Sequence, residues 1–77
     1  MQINIKTFGA VTDLLEDTEI EVNDGATLRD LKHTLLEQFP QLKQQYFRLG
    51  IGARLPDEET ELMEGDEVSL MPPFAGG

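Results

Sequence analysis

The last residues of the sequence carry its most chemically distinctive pattern. Pro72 and Pro73 follow a strand-like segment, and the sequence ends in Gly76 and Gly77. Prolines lack an amide hydrogen and favour an extended chain, so we expect the last strand to end before them and the tail to project from the domain. Glycine has no Cβ, which lets a chain pass through a narrow channel in another protein. We therefore predict that residues 72–77 form a functional extended tail.

The candidate reactive group is the carboxylate of Gly77, with Gly76 easing its passage into a partner. An α-carboxyl has a reference pKa of about 3.3–3.7, so it is ionised at neutral pH and stays a poor electrophile until an external reaction activates it. The sequence contains no cysteine, and its single histidine, His33, lacks a second ligand or nucleophile at a useful spacing, so we expect His33 on the surface. The competing interpretation is that a short glycine-rich terminus is incidental.

Composition restricts the classes of function. A chain of 77 residues fits one small domain with little spare volume for an enclosed substrate site. Fifteen acidic and six basic residues give a formal net charge of −9, which argues against nucleic-acid binding. The acidic stretch at 57–67 lacks the ligand spacing of a calcium loop, so we predict no metal site. There is no signal peptide or membrane-spanning apolar run, so we expect a cytoplasmic protein without a membrane partner.

Hydrophobic periodicity predicts one helix and four or five strands. Thr27 and Asp30 suit a capping box at the start of the helix, whose apolar stripe ends at Phe39 before Pro40. Strands are predicted at 1–5, 19–22, 47–51 and 67–71, with a short one at 53–55 and single helical turns at 11–15 and 60–62. This order favours an α+β domain over residues 1–71 in which the helix crosses one face of the sheet, with the β-grasp topology as the candidate.

Several segments resemble a known family. Residues 65–68, the proline pair at 72–73 and the terminal glycines are similar to the C-terminal signature of the molybdopterin synthase small subunits, and the related thiamin sulfur carriers share the glycine pair. Residues 3–8 and 24–31 are similar to that family's first strand and helix entry. The sequence has Gly50 to Ala53 where many members have an asparagine-glycine turn, which leaves the subfamily open. The resemblance implies a ubiquitin-like β-grasp fold with a mixed four- to five-stranded sheet and one main helix.

The resemblance also implies a function. Members of the family are adenylated at the C-terminal glycine by a ubiquitin-activating-enzyme-like adenylyltransferase that uses ATP, and they then receive sulfur as a thiocarboxylate. Carried onto this sequence, Gly77 bears the sulfur, Gly76 permits passage, and the chain itself binds no cofactor. The large subunit of molybdopterin synthase is the second implied partner. The chain would then be no enzyme on its own, but the sulfur-donating subunit of a synthase complex.

Phe8, Met71 and Phe74 are the candidates for an apolar surface that docks on these partners. Phe8 interrupts the alternation of the first strand, so it either follows a bulge or points off the core face. Phe74 follows two prolines and is hard to bury within the domain, whereas Phe8 and Met71 could instead belong to the core.

Other functions remain open at this stage. The chain could carry sulfur for another pathway (thiamin, an amino acid or a tungsten-pterin), or be a ubiquitin-like modifier that is joined to lysines. It could also be a β-grasp interaction module whose tail has no chemical role. The domain pattern is the same in each case, so the sequence does not separate them.

Overall fold

The structure, a computed structural model, describes residues 1–52 and 56–73, and they form a four-stranded mixed sheet with one α-helix. The strands are β1 (Gln2–Thr7), β2 (Thr18–Glu21), β3 (Arg48–Ile51) and β4 (Glu67–Met71), and the helix is α1 (Leu28–Gln38). Short 3₁₀ helices cover Gly9–Asp13 and Pro40–Gln44. No helix in these two ranges is long and apolar enough to cross a membrane. The predicted α+β class is confirmed.

The two central strands of the sheet are the first and the last of those described. The strand order is β2-β1-β4-β3, and β1 pairs antiparallel with β2 but parallel with β4. The register places Thr7 opposite Leu70, so the first loop and the end of β4 meet at the same end of the sheet. A parallel pair needs a crossover connection, and α1 lies within the one that joins these two strands.

Alternating burial shows which face of the sheet the helix covers. Ile3, Ile5, Val68 and Leu70 are at most 1% exposed and pack in one core cluster with the apolar stripe of α1. The residues between them lie on the opposite face of the sheet, which we call the open face. The register assigns to it Gln2, Asn4, Lys6, Glu19, Glu21, Arg48, Gly50, Glu67, Ser69 and Met71.

The helix begins and ends where the sequence predicts. The backbone N–H of Asp30 donates to the Thr27 hydroxyl at 3.3 Å, and the Thr27 N–H donates to the Asp30 carboxylate at 3.0 Å. These two bonds form the capping box and satisfy amides that have no partner within the helix. Phe39 is the C-cap, directly before Pro40. His33 lies on the exposed side of α1, where its Nε2 is 2.9 Å from the carboxylate of Glu37.

The prediction of a helical turn at 60–62 is wrong. Glu61 instead forms an isolated antiparallel β-bridge with Thr27, and the Leu62 N–H donates to the Ala26 carbonyl at 2.8 Å. These backbone groups find partners next to the start of α1, and the bridge holds Leu62 in the core at 4% exposure. The turn expected at 11–15 is present as the 3₁₀ helix at Gly9–Asp13, two residues earlier. The short strand predicted at 53–55 lies outside the described residues.

Replacement of Thr27 by alanine is expected to destabilise the domain. The Thr27→Ala variant loses the hydroxyl that accepts from the Asp30 N–H, so its free energy of unfolding should fall by about 1 kcal/mol in urea titrations. Thr27→Ser keeps the hydroxyl and should stay close to the original value. Thr12→Ala, at an exposed position of the first 3₁₀ helix, is the matched control. Equal stabilities for Thr27→Ala and Thr12→Ala would contradict the role given to the cap.

Candidate functional site

Pro72, the first residue of the tail, lies at a corner where the end of β1 meets the end of β4. We call it the exit corner and define it as Phe8, Gly9, Arg48, Met71 and Pro72. The Phe8 N–H donates to the Leu70 carbonyl at 3.0 Å, which continues the β1–β4 ladder one residue beyond Thr7. Any group carried on the tail therefore starts from a position that the central strand pair holds.

Phe8 lies on the open face. Its backbone is extended, with φ −134° and ψ 154°, so the alternation of β1 continues through it: Lys6 faces out, Thr7 faces in and Phe8 faces out. The side chain is 47% exposed. The prediction that Phe8 could belong to the core is therefore wrong. The sequence left open whether Phe8 follows a bulge or points off the core face, and in the structure it points off the core face.

Met71 shares that face. It lies opposite Arg48 in the β3–β4 register, is partly exposed, and falls outside the cluster of buried residues that forms the core. Phe8 and Met71 thus place two accessible apolar side chains beside the point where the tail departs. Phe74, Gly76 and Gly77 lie outside the described residues, so the roles given to them stay predictions.

Asp17 holds the end of β1 from the other side. The backbone N–H of Thr7 donates to the Asp17 carboxylate at 2.9 Å, and the Thr7 hydroxyl lies 3.3 Å from the same oxygen. Thr7 is only 9% exposed, so these bonds satisfy polar groups that would otherwise be buried without partners. Asp17 on one side and Leu70 on the other therefore fix the backbone that carries Phe8.

Gly9 belongs to the site although sequence reasoning missed it. Its φ is +57°, in the left-handed region that side chains disfavour. A Cβ at this position would lie 2.6 Å from Cγ of Pro72 and 3.2 Å from its Cδ. Gly9 thus allows the proline ring to lie against the first loop, and this contact sets the direction in which the tail starts. A glycine just after the first strand was the only signal in the sequence.

The exit corner can guide and dock a tail, but its residues include no nucleophile or acid–base group. The nearest ion pair on the open face joins Lys6 to Glu67 at 3.8 Å, and both side chains are about half exposed. Across residues 1–52 and 56–73, no group of three or more histidine, aspartate and glutamate residues is arranged to hold a metal ion. The arrangement is suited to positioning the start of the tail.

Comparisons with known proteins agree with this geometry. The ThiS family model matches residues 5–77. The chain belongs to the ThiS family. It is 30% identical to the molybdopterin synthase sulfur carrier subunit of Mycobacterium tuberculosis, and the match covers 100% of this chain and 99% of that protein. The resemblance drawn from the sequence is thus confirmed.

Two solved structures establish the fold. One is the complex of subunits 1 and 2 of the molybdopterin-converting factor from Helicobacter pylori. The matching chain of that complex is 30% identical to this one, with a TM-score of 0.76, and the match covers 100% of this chain and 100% of that chain. The other is the ubiquitin of Caldiarchaeum subterraneum, 21% identical with a TM-score of 0.68, covering 100% of this chain and 98% of that one. The predicted ubiquitin-like β-grasp fold is therefore confirmed.

Replacement of Gly9 by alanine is expected to displace Pro72. Gly25→Ala is the matched control, because Gly25 also has a positive φ, +84°, but nothing lies within 4 Å of its added Cβ. Both variants carry left-handed strain of about 1–2 kcal/mol, and Gly9→Ala adds the clash. Urea unfolding should show a larger loss for Gly9→Ala, and amide shifts should change at Met71.

A second substitution separates the clash from the strain. Pro72→Ala removes the ring atoms that the new Cβ would meet, so it should partly restore Gly9→Ala while leaving Gly25→Ala unimproved. The coupling in this double-mutant cycle should be roughly 0.5–3 kcal/mol, the range for residues in contact. Additive effects of Gly9→Ala and Pro72→Ala would show that the contact does not position the tail.

Proposed function

We propose that this chain is the sulfur carrier subunit of a molybdopterin synthase and carries sulfur as a thiocarboxylate on Gly77. The observation that carries the proposal is the match of the whole chain to a relative of that name, at 30% identity. The family match also runs through residue 77, so it includes the glycine pair from which the tail chemistry was inferred. Cytoplasmic location is part of the same proposal, since the chain has no cysteine.

The proposed chemistry has two steps. A carboxylate oxygen of Gly77 attacks the α-phosphorus of ATP on the adenylyltransferase, pyrophosphate leaves, and an acyl adenylate forms. Sulfide (HS⁻) supplied by an external donor then attacks the Gly77 carbonyl carbon, the bond from that carbon to the phosphate oxygen breaks, AMP leaves, and the Gly77 thiocarboxylate remains. The chain contains no cysteine that could supply the sulfur, which is consistent with a carrier that depends on partners for its chemistry.

The exit corner suits this use. Pro72 lies against Gly9, so the tail has a fixed base on the domain. The five residues after Pro72 would span roughly 17 Å when extended, at about 3.3–3.6 Å for each residue. A carboxylate at Gly77 can therefore enter a deep catalytic site while the folded domain stays at its entrance.

The same geometry defines how partners would dock. Ordering a tail costs about 1–2 kcal/mol of backbone entropy for each residue, so affinity must come from contacts beside it. Phe8 and Met71 lie at the base of the tail on the open face, and Phe74 follows them in the chain. We propose that the adenylyltransferase and the large synthase subunit each cover these three side chains in turn. The H. pylori complex of subunits 1 and 2 supports the pairing with a large subunit.

Sulfur loading at Gly77 is the direct test. After co-expression with its adenylyltransferase and a sulfur source, intact-mass analysis should show one oxygen replaced by sulfur at the terminal residue. Removal of Gly76 and Gly77 should abolish loading without changing the melting temperature, and Gly77→Ala should bind the adenylyltransferase but react poorly because its Cβ crowds the carbonyl. Absence of sulfur with every cognate enzyme would refute the proposal.

Genetic rescue identifies the pathway that receives the sulfur. The chain should restore molybdenum cofactor synthesis in a strain that lacks the synthase small subunit, and the version without Gly76 and Gly77 should not. Equal rescue by both versions would favour a plain interaction module. Covalent adducts on lysines of other proteins, with no rescue, would instead favour a protein modifier.

Replacement of Phe8 by alanine should weaken docking more than folding. Burial of a phenylalanine side chain contributes roughly 1.5–3 kcal/mol, so Phe8→Ala should lower affinity for the adenylyltransferase by about tenfold or more in calorimetric titrations. Its melting temperature should change little, since Phe8 is 47% exposed and lies off the core. We expect the same pattern for Phe74→Ala.

Met63→Ala is the matched control for Phe8→Ala. Met63 is 70% exposed, and the following turn lies at the opposite end of β1, where the Gly65 N–H donates to the Gln2 carbonyl at 2.9 Å. Its replacement removes exposed apolar surface far from the exit corner, so it should leave affinity unchanged. A strong drop in melting temperature for Phe8→Ala at unchanged affinity would show that Phe8 serves the fold.

A further inference from the structure

The basic residues of this acidic chain differ in whether they are paired. Lys6 pairs with Glu67, and Arg29 pairs with Glu58 at 3.4 Å and with Glu59 at 2.6 Å. The other basic residues among 1–52 and 56–73 make no ion pair with a described residue; they are Lys32, Lys43 and Arg48. Lys32 and Lys43 line one depression between α1 and the segment before β3, whereas Arg48 belongs to the open face.

Aromatic and aliphatic side chains lie between these cations. Tyr46 is 86% exposed, more than any other large hydrophobic side chain in the described ranges. The Lys32 ammonium lies 5.8 Å from the centre of the Phe47 ring, within the range of a cation–π contact. We call the surface formed by Lys32, Leu36, Lys43, Tyr46 and Phe47 the cationic groove.

The cationic groove has room for a side chain. Its five residues, with Leu42 and Gln45, line a depression of about 250 Å³. A second depression of about 360 Å³ shares Lys32 and Phe47 with the first. It is also lined by Asp57 and Glu58, whereas the first has no acidic residue in its lining, so the positive charge is concentrated around the first.

The cationic groove lies on the opposite side of the sheet from Phe8 and Met71. Leu36 and Phe47 pack against the core, which occupies the helix side, whereas Phe8 and Met71 belong to the open face. A partner on the groove would therefore leave the open face accessible.

The charges around the cationic groove indicate the chemistry of the ligand that it would bind. Lys32 and Lys43, which form no ion pair within residues 1–52 and 56–73, lie around an apolar depression and complement a segment that carries carboxylates on both sides of an apolar side chain. Screening confines electrostatic attraction to about 8 Å at physiological ionic strength, so a ligand in the first depression is governed mainly by Lys32 and Lys43. Asp57 and Glu58 line only the second depression. A second copy of the chain is a poorer match, because two domains of net charge −9 repel each other. A nucleic acid is also a poorer match, because its run of phosphates would extend beyond two lysines and meet the acidic residues of the domain, whereas a short segment with a few carboxylates stays within their reach.

We propose that the cationic groove binds an acidic peptide segment of a partner protein, with an apolar side chain of that segment seated between Leu36 and Tyr46. Lys32 and Lys43 would pair with carboxylates on either side of it. Because this surface does not overlap the open face, the domain can stay attached to such a segment while its tail is engaged elsewhere.

The test is an NMR titration of the ¹⁵N-labelled full chain with a short synthetic peptide. The peptide has a central leucine-phenylalanine pair flanked by glutamates, and the matched peptide has glutamines in place of the glutamates. Amide shifts should change at residues of the cationic groove with a Kd below about 1 mM. The glutamine peptide should bind about tenfold more weakly. No shifts at millimolar peptide, or shifts confined to other surfaces, would overturn the proposal.

Charge reversal supplies a matched control. The Lys32→Glu/Lys43→Glu variant should bind the acidic peptide about tenfold more weakly, whereas Lys6→Glu/Arg29→Glu changes the net charge equally and should stay within about twofold of the original affinity. Tyr46→Ala, at an exposed position, should also lose affinity without changing the melting temperature. Equal losses in both charge-reversed variants would show that only net charge matters, and would overturn the proposal.

Two further outcomes would assign the groove to another occupant. Concentration-dependent shifts at Tyr46 without peptide would show that a second copy of the chain covers it. Tighter binding of a single-stranded oligonucleotide than of the acidic peptide, with the same shifts, would show that the lysines serve phosphates. Either result replaces the acidic segment and refutes the proposal.

Discussion

The parallel pairing of β1 with β4 is the constraint on which the rest of the structure depends. It joins segments far apart in the sequence and places Thr7 opposite Leu70. Because parallel strands run in the same direction, the residues that follow both strands emerge at one end of the sheet. The first loop and the tail therefore meet, and the contact between Gly9 and Pro72 exists only because of this pairing.

The pairing also separates two kinds of surface. The helix covers one face, where the core side chains of β1 and β4 are almost fully buried. The helix does not cover the open face, where Phe8 and Met71 lie beside the start of the tail. The domain thus gains most of its stability on one side of the sheet. If Phe8 and Met71 dock on partners as proposed, their replacement should change affinity more than stability.

Local contacts support this division. The capping box at Thr27 fixes the start of α1, and the bridge between Thr27 and Glu61 ties the acidic loop to the same point. Asp17 performs a similar task at the end of β1, where it accepts from the Thr7 N–H. The chain contains no disulfide, so hydrogen bonds of this kind hold the loops of the domain around its core. They also keep the exit corner in place.

The sequence by itself determined the features that depend on near neighbours. The helix cap, the stop at Phe39 and the last strand were predictable because capping, proline and strand alternation act over a few residues. Only the tertiary structure decided that residues 60–62 pair with the backbone before α1, that Phe8 faces away from the core, and that Gly9 lies under Pro72. Each of these features depends on contact with a residue distant in sequence, and local sequence patterns do not specify which distant residue makes that contact.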